Sequence, residues 1–488
     1  MKVLLIETSR TYHGKSKGIR LSVPLGLLYI GAVLEENDFE VVLFNSLTCP
    51  KTRVIEKDGF LHHGVDDDYF KEVIAQEAPD VIGISCPFTA QFDNFTHAAN
   101  LVKEVDSNLF VVGGGPHFSV CAKDFLDHYP DVDCYISGEG EEPFLSLIKA
   151  MNEGKSLEGI TGVTHKVINE DGSTEIKNLP HVLMRDMDNI PVPAYHLMDM
   201  DLFFQYQLYG CEGYEVPISA RLDQGGKKTI SMITSRGCPF KCTFCSIALH
   251  MGKPVRAHSS EYTVSHIEKV VKEYGVEHIF FEDDNLTFKM KRTQKTCELL
   301  LENNINITWS TPNGVRADKL TKPLLALMQK SGCTGLIVGT ESGDQDTLDN
   351  IVKKDLKLET VIQVCKWCKE LKIPLTSFFV IGFPKETKQK IQNTIDFAAN
   401  LYEQYQVLPL LNVATPLIGT VLYDEVVKDQ LLVADLTPHN LSGATQPIHG
   451  GGMITTSDFT PDDLRGFALQ LNDRITAMDS EFDVTYHV

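Results

Sequence analysis

Short apolar runs alternate with stretches of helical period along most of the chain. Residues 2–7, Lys-Val-Leu-Leu-Ile-Glu, read as a strand, and the segment opening at Pro24 continues at helical spacing to about Asn37. Residues 39–44, 80–85, 109–115 and 134–136 give further strands, with helix-like segments between them. This alternation predicts a doubly wound, Rossmann-like α/β domain over residues 1–190. Its ligands are expected beyond the carboxyl ends of the strands. Residues 169–173 read as a hairpin turn centred on Asp171-Gly172. Pro191 and Pro193 interrupt any helix near them, so residues 191–225 are expected to form a linker. The glycines and charges of residues 210–228 suggest a mobile loop near an active site.

The pattern resumes with a strand at residues 230–234, a helix at 260–274, a strand at 278–281, a helix at 291–303 and a strand at 308–311. Strands near 335–339, 375–381 and 410–414 complete six βα-type units, which predict a partial (β/α)6 barrel over residues 226–425. Residues 426–488 are expected to form a small, mainly helical appendage. In it, 438–452 reads as a loop, and Thr460-Pro461-Asp462-Asp463 starts a helix that runs to about Met478. That appendage is expected to close the open side of the barrel and help shape a substrate pocket.

At 488 residues, with 43% hydrophobic and 23% charged positions, the chain is a multidomain globular protein. Its formal charge of -21 argues against nucleic-acid binding and against anionic membranes. A small-molecule or peptidic substrate fits better. No signal-peptide pattern opens the chain and no uninterrupted apolar run reaches membrane-spanning length, so a cytoplasmic protein without membrane insertion is expected. Twelve scattered cysteines then indicate reduced thiols and a metal site in place of a disulfide framework.

Three of those cysteines stand together in Ser235-Arg236-Gly237-Cys238-Pro239-Phe240-Lys241-Cys242-Thr243-Phe244-Cys245, just past the strand at 230–234. A 4Fe-4S cluster ordinarily takes four thiolates, so a loop offering three leaves one iron open to an exogenous ligand. The competing reading is three core cysteines or part of a zinc site, which needs a fourth Cys or His at matching spacing. Cys365-Lys366-Trp367-Cys368 has redox or metal-site spacing but falls in a helical pattern without a second pair. Cys297 and Cys333 read as core positions. No G-x-G-x-x-G fingerprint follows the first strand, so a nicotinamide cofactor is not supported.

Polar segments follow successive strands of the second domain: Glu282-Asp283-Asp284-Asn285, Pro312-Asn313-Gly314-Val315-Arg316, Gly339-Thr340-Glu341-Ser342-Gly343 and Gly382-Phe383-Pro384-Lys385-Glu386. Taken alone, the first is also readable as a solvated turn before a helix cap, and Arg316 as a surface arginine at a helix start. With the cysteine loop, including Phe244 just before its last cysteine, they resemble the radical S-adenosylmethionine (radical SAM) superfamily. The resemblance implies a 4Fe-4S cluster on Cys238, Cys242 and Cys245 whose open iron chelates S-adenosylmethionine. It also implies that Asp283, Asp284 and Asn285 face the ammonium of that ligand and Arg316 its carboxylate. Glu341 would meet the ribose or methionyl portion, and the turn at Gly382 would lie beneath the adenine.

Upstream, Ser85, Gly113-Gly114-Gly115-Pro116-His117 and Ser137-Gly138-Glu139-Gly140-Glu141 follow successive strands. They resemble the cobalamin-binding domain that precedes many radical SAM domains. Glycine there lets the backbone approach the cofactor, which a β-carbon would block. The resemblance implies cofactor contacts from Ser85, Gly113, Gly114, Gly115, His117, Gly138 and Glu139. The D-x-H-x-x-G element that supplies a lower cobalt ligand is missing. His13 stands near its place without an orienting aspartate, so cobalt with no protein imidazole below it is expected. A doubly wound domain that binds something else, or nothing, is the alternative.

Residues 1 to 425 as a whole resemble cobalamin-dependent radical SAM enzymes, many of them methylases of unactivated carbon or phosphorus. By that resemblance a 5'-deoxyadenosyl radical takes hydrogen from the substrate, the substrate radical takes a methyl group from methylcobalamin, and an external electron donor supplies the cluster. One alternative is a cyclase or oxidative rearrangement enzyme with the same cofactors. Another is a non-catalytic cobalamin or iron-sulfur sensor.

Overall fold

The structure, a computed structural model, describes residues 1–13, 19–120, 129–168, 174–216, 226–448 and 451–478. The chain divides into two compact units. One comprises Met1–Lys228 with Leu249–Met251, the other Thr229–Ala248 with Gly252–Val488.

The first unit is organised by strands β1 (Lys2–Glu7), β2 (Glu40–Asn45), β3 (Val81–Ser85), β4 (Phe110–Gly114), β5 (Cys134–Ile136), β6 (Val163–Ile168) and β7 (Thr174–Asn178). They lie in the order β7-β6-β5-β4-β3-β1-β2. The first five are mutually parallel, and β6 and β7 add antiparallel at one edge. Two cores explain the near-continuous apolar strands. Leu4 and Ile6 pack with Phe92, Phe95 and Phe70 on one face, and Val3 and Leu5 with Leu27, Leu34 and Phe144 on the other. This is the expected doubly wound sheet. Its strand order reverses between β1 and β3, which places the ligand crevice of such folds beside the carboxyl ends Glu7 and Ser85.

Three features of this unit bear on the sequence reading. The turn expected at 169–173 falls outside the described residues, although β6 and β7 flank it. A small antiparallel sheet, Arg10–His13, Arg53–Lys57 and Phe60–Gly64, was not foreseen. The linker expected at 191–225 is corrected for its described part. Tyr195, Phe203 and Phe204 are buried, the Ala194 amide donates to Leu28 O at 3.1 Å, and Tyr206 Oη donates to Cys49 O at 3.1 Å. Two adjacent phenylalanines on the helix Met200–Tyr209, started by an Asp199 cap, bury too much apolar surface for a free tether.

The second unit carries β8 (Thr229–Met232), β9 (His278–Phe281), β10 (Thr308–Val315), β11 (Cys333–Glu341), β12 (Leu375–Ile381) and β13 (Leu408–Val413). Their spatial order is the chain order, and every neighbouring pair is parallel. That is the arrangement of six successive βα units. Intervening helices begin on side-chain caps at Ser259, Thr321 and Thr387. Strands β10 and β11 outrun the expectation, with register shifts between Thr311 and Val315 and between Gly339 and Glu341. Glu341 is thus the irregular last residue of a strand, at φ 69°.

Within the loop expected at 438–452 the described residues include a short helix, Pro438–Leu441. The final helix, Pro461–Met478, runs along the helix Lys388–Tyr405, where Lys388 Nζ meets Asp463 at 2.7 Å. Ala468, Leu471 and Ile475 face Pro409 and Leu411 of β13. The appendage therefore covers the flank of the last strand. Among the described residues no helix is long and apolar enough to cross a membrane.

Candidate functional site

Strand β8 delivers the chain to the cysteine loop, and residues at the end of β9 fasten it. Buried Asp283 accepts from the Thr234 amide at 2.7 Å, from Thr234 Oγ1 at 2.8 Å and from Ser235 Oγ at 2.5 Å. Arg292 takes the remaining Thr234 group by donating to its carbonyl oxygen at 3.1 Å. Asp284 accepts from the Gly237 amide at 2.7 Å, one residue before Cys238. Ser235–Arg236 pairs with Arg256–Ala257, and the Cys238 amide donates to Gly252 O at 3.1 Å. Burial raises the Asp283 carboxyl, despite these bonds, and pushes Asp284 up to about 6.

The far side of the loop is fastened as tightly. Arg316 stacks on Phe240 at 3.6 Å and donates to Asp318, Lys354 O and Asp355 O at 2.7 to 2.8 Å. Thr243 bonds to Val352 O through its amide and to Ile351 O through its hydroxyl, at 3.0 and 3.1 Å. Phe244 packs on Phe383 with ring centroids 5.7 Å apart. Glu341 pairs with buried Lys354 at 2.8 Å. Glu386 accepts from the Gly382 and Phe383 amides at 2.7 and 2.9 Å, and burial pushes its carboxyl up to about 7.

The residues expected around a bound S-adenosylmethionine are therefore brought to one end of one sheet, but several are committed to protein. Asp283, Asp284 and Arg316 hold the loop. Asn285 differs: its side chain is buried and, among the described residues, its Oδ1 accepts no hydrogen bond, which leaves an acceptor for a ligand. Lys354 was not foreseen, because Lys353-Lys354-Asp355 reads as a solvated charge run. Glu386 stands four residues after Gly382, a spacing that lets its carboxylate close the turn on the Gly382 and Phe383 amides.

Cys238, Cys242 and Cys245 are half-buried, whereas Cys297, Cys333, Cys365 and Cys368 are buried. Burial pushes the Cys242 thiol up and that of Cys245 up to about 12, so ionisation there favours a bound cation. Among the described residues no group of three His, Cys, Asp or Glu side chains is placed to hold one metal ion. A cubane gives each thiolate its own iron, so the triad fits a cluster better than a zinc ion.

In the first unit the expected residues fall at the edges of β3, β4 and β5. Ser85 stands opposite both Glu7 and Gly114 in register. The glycines divide by cause. A β-carbon on Gly113 would come within 2.5 Å of Tyr135, one on Gly115 within 2.5 Å of Cys86 O, and one on Gly138 within 2.4 Å of His181. Gly115 and Gly138 also hold positive φ, at 115° and 76°. These three are explained by the protein itself. Gly114 is not, since a β-carbon there would meet none of the described residues within 4 Å.

His117 lies buried against Phe92, shares a hydrogen bond with Thr89 Oγ1 at 3.0 Å, and is held down to about 4 by burial. Glu139 accepts from the Met184 amide at 2.8 Å and so draws the segment near His181 over Gly138. A buried ion pair that the sequence reading missed, Arg10 to Glu7 at 2.5 Å, stands at the crevice edge. The side chain of His13 lies outside the described residues.

Residues 21–148 match the B12 binding domain and residues 232–398 the radical SAM superfamily. An uncharacterized methyltransferase of Pyrococcus horikoshii is 30% identical over 434 residues, covering 89% of this chain and 84% of that protein. The cytidylyl-2-hydroxyethylphosphonate methyltransferase of Streptomyces wedmorensis is 29% identical over 455 residues, covering 88% and 82%. In fold, the chain is similar to the radical S-adenosylmethionine methyltransferase TsrM of Kitasatospora setae, solved with cobalamin and a [4Fe-4S] cluster. The TM-score is 0.69 at 16% identity, over 96% of this chain and 90% of that one. The chain belongs to the cobalamin-dependent radical SAM methyltransferases, enzymes that use a 4Fe-4S cluster, S-adenosylmethionine and cobalamin.

Proposed function

We propose that this enzyme methylates an unactivated carbon, or phosphorus, of a small-molecule or peptidic substrate, with Cys238, Cys242 and Cys245 as cluster ligands. The observation that carries the site assignment is the half-buried cysteine loop, fastened from both sides by Asp283, Asp284, Arg316 and Thr243. When bound, the cofactors supply a reducing electron, a 5'-deoxyadenosyl radical and a cobalt-borne methyl group. The chain's own residues hold the loop rigid and offer Asn285 Oδ1 to the ligand's ammonium. In the first unit, Ser85 and Gly114 border the space for the corrin, with Gly113, Gly115 and Gly138 shaping the turns around it. An external one-electron donor and a reducing, cytoplasmic compartment complete the reading.

The test is product mass. Reconstituted enzyme with S-adenosylmethionine, methylcobalamin, reductant and a panel of small phosphonates and peptides is expected to form 5'-deoxyadenosine and a product heavier by one methyl group. Cys242→Ala is expected to abolish both. Retained turnover in that variant overturns the ligand assignment, and hydrogen loss without methyl gain favours the cyclase reading.

A further inference from the structure

We propose that the Lys354–Glu341 pair sets the reduction potential of a cluster on the cysteine loop, the ammonium raising it and the carboxylate limiting the rise. This rests on Cys238, Cys242 and Cys245 being the cluster ligands.

Both partners are 7% exposed, and their contact is 2.8 Å. Charges so buried are rare, and an apolar pair of similar volume often serves folding equally well. Folding alone therefore does not account for the pair. The backbone around it is costly too: Glu341, Lys353 and Asp355 all hold left-handed conformations, at φ 69°, 56° and 54°. Gly339 makes room, because a β-carbon there would lie 2.7 Å from Glu341 Oε1 and 2.9 Å from Lys354 Nζ.

The pair is also tied to the loop. Phe240 and Thr243 flank Cys242, and both are fixed to residues 351–355, Phe240 through Arg316 and Thr243 directly. The Lys354 carbonyl accepts from the same Arg316 guanidinium that stacks on Phe240, so the pair lies one side chain away from the cysteine loop. Solvent screens little between buried charges, and cluster potentials follow nearby net charge. One electron enters the cluster from the external donor, and a fixed positive charge favours that step.

The experiment is a redox titration of the reconstituted full-length chain, followed by electron paramagnetic resonance, without S-adenosylmethionine. Leaving that ligand out separates the effect from any contact Lys354 makes to it. Lys354→Met is expected to make cluster reduction at least tenfold less favourable, about 59 mV for a one-electron couple, at unchanged iron and sulfide content. Lys354→Arg is expected to restore the wild-type value. A fully loaded Lys354→Met protein with the wild-type potential overturns the proposal. Should Lys354→Met fail to load, Glu341→Gln reads the same effect with the opposite sign; an upward shift supports the proposal and an unchanged potential overturns it. Cys242→Ala that still carries an intact cluster refutes the ligand assignment itself, an outcome distinct from both.

Discussion

At the carboxyl edge of β8–β13, Asp283, Asp284, Arg316 and Glu341 are all bonded to protein, and most of those bonds end on the cysteine loop or on the segment fixed to it. At the carboxyl ends of β4 and β5 glycines recur, at Gly113–Gly115 and Gly138, and a β-carbon on Gly114 would meet none of the described residues within 4 Å. Both sheets are parallel and present the same kind of edge. The proposed site assignment accounts for the difference. A loop that gives three thiolates to a cluster has to be fixed in place before assembly, so its neighbours are polar and satisfied. A large planar cofactor needs clearance, which a glycine in place of a side chain leaves.

The contrast breaks most readily at Asp283. Asp283→Ala leaves the Thr234 amide and the hydroxyls of Thr234 and Ser235 without their shared acceptor. A buried group left unsatisfied costs about 1–3 kcal/mol, so a loss of roughly 3 kcal/mol or more is expected, together with most of the bound iron. Urea unfolding and iron analysis read the two effects. Unchanged stability with a full cluster would mean that the loop is not fixed from this edge.

The opposite edge is sharpened by paired glycine variants. Gly114→Val enters open space and suits a strand, so stability is expected to change by less than about 0.5 kcal/mol, while cobalamin binding is lost. Gly113→Ala meets the Tyr135 ring and Phe95, and overpacking of this kind costs about 1–3 kcal/mol, with binding affected only through stability. Cobalamin absorbance after reconstitution and gel filtration separates them. Retained cobalamin in Gly114→Val would move the cofactor away from this edge.

How much of this was legible in the sequence follows from the same contrast. Parallel strands buried on both faces, such as β3 and β12, announce themselves as apolar runs, and short-range motifs such as the cysteine loop carry their chemistry in their spacing. Residues whose role depends on a distant partner were not legible. Lys354 reads as surface charge until Glu341 is seen beside it, and Arg316 reads as a ligand contact until the carbonyls of Lys354 and Asp355 are seen to take its donors. The glycines of the first unit looked alike in sequence. Three of them answer to Tyr135, Cys86 and His181, residues 22 to 43 positions away in the chain or across strands, and only the packing distinguishes them from Gly114.

The smallest effect is expected where the sequence offered the most familiar spacing. Cys365 and Cys368 lie on the helix Leu358–Leu371, whose buried positions are Val361, Val364, Cys365 and Cys368. That is the i, i+3, i+4, i+7 stripe of a helix packed on a sheet, and cysteine serves there as a small apolar side chain. Burial pushes both thiols up to about 12, as it does for Cys245, so acidity does not separate the two groups of cysteines. Exposure and neighbours do: the loop cysteines are half-buried on a loop held by Arg316 and by Val352 and Ile351, and the helical pair is enclosed by its own core. Replacing both Cys365 and Cys368 by Ala is expected to cost about 1–2 kcal/mol from the small cavities left behind, with iron content, cluster potential and cobalamin binding unchanged. Loss of iron at nearly unchanged stability would give the pair a chemical role, and the cluster would then draw on more of the chain than its carboxyl edge.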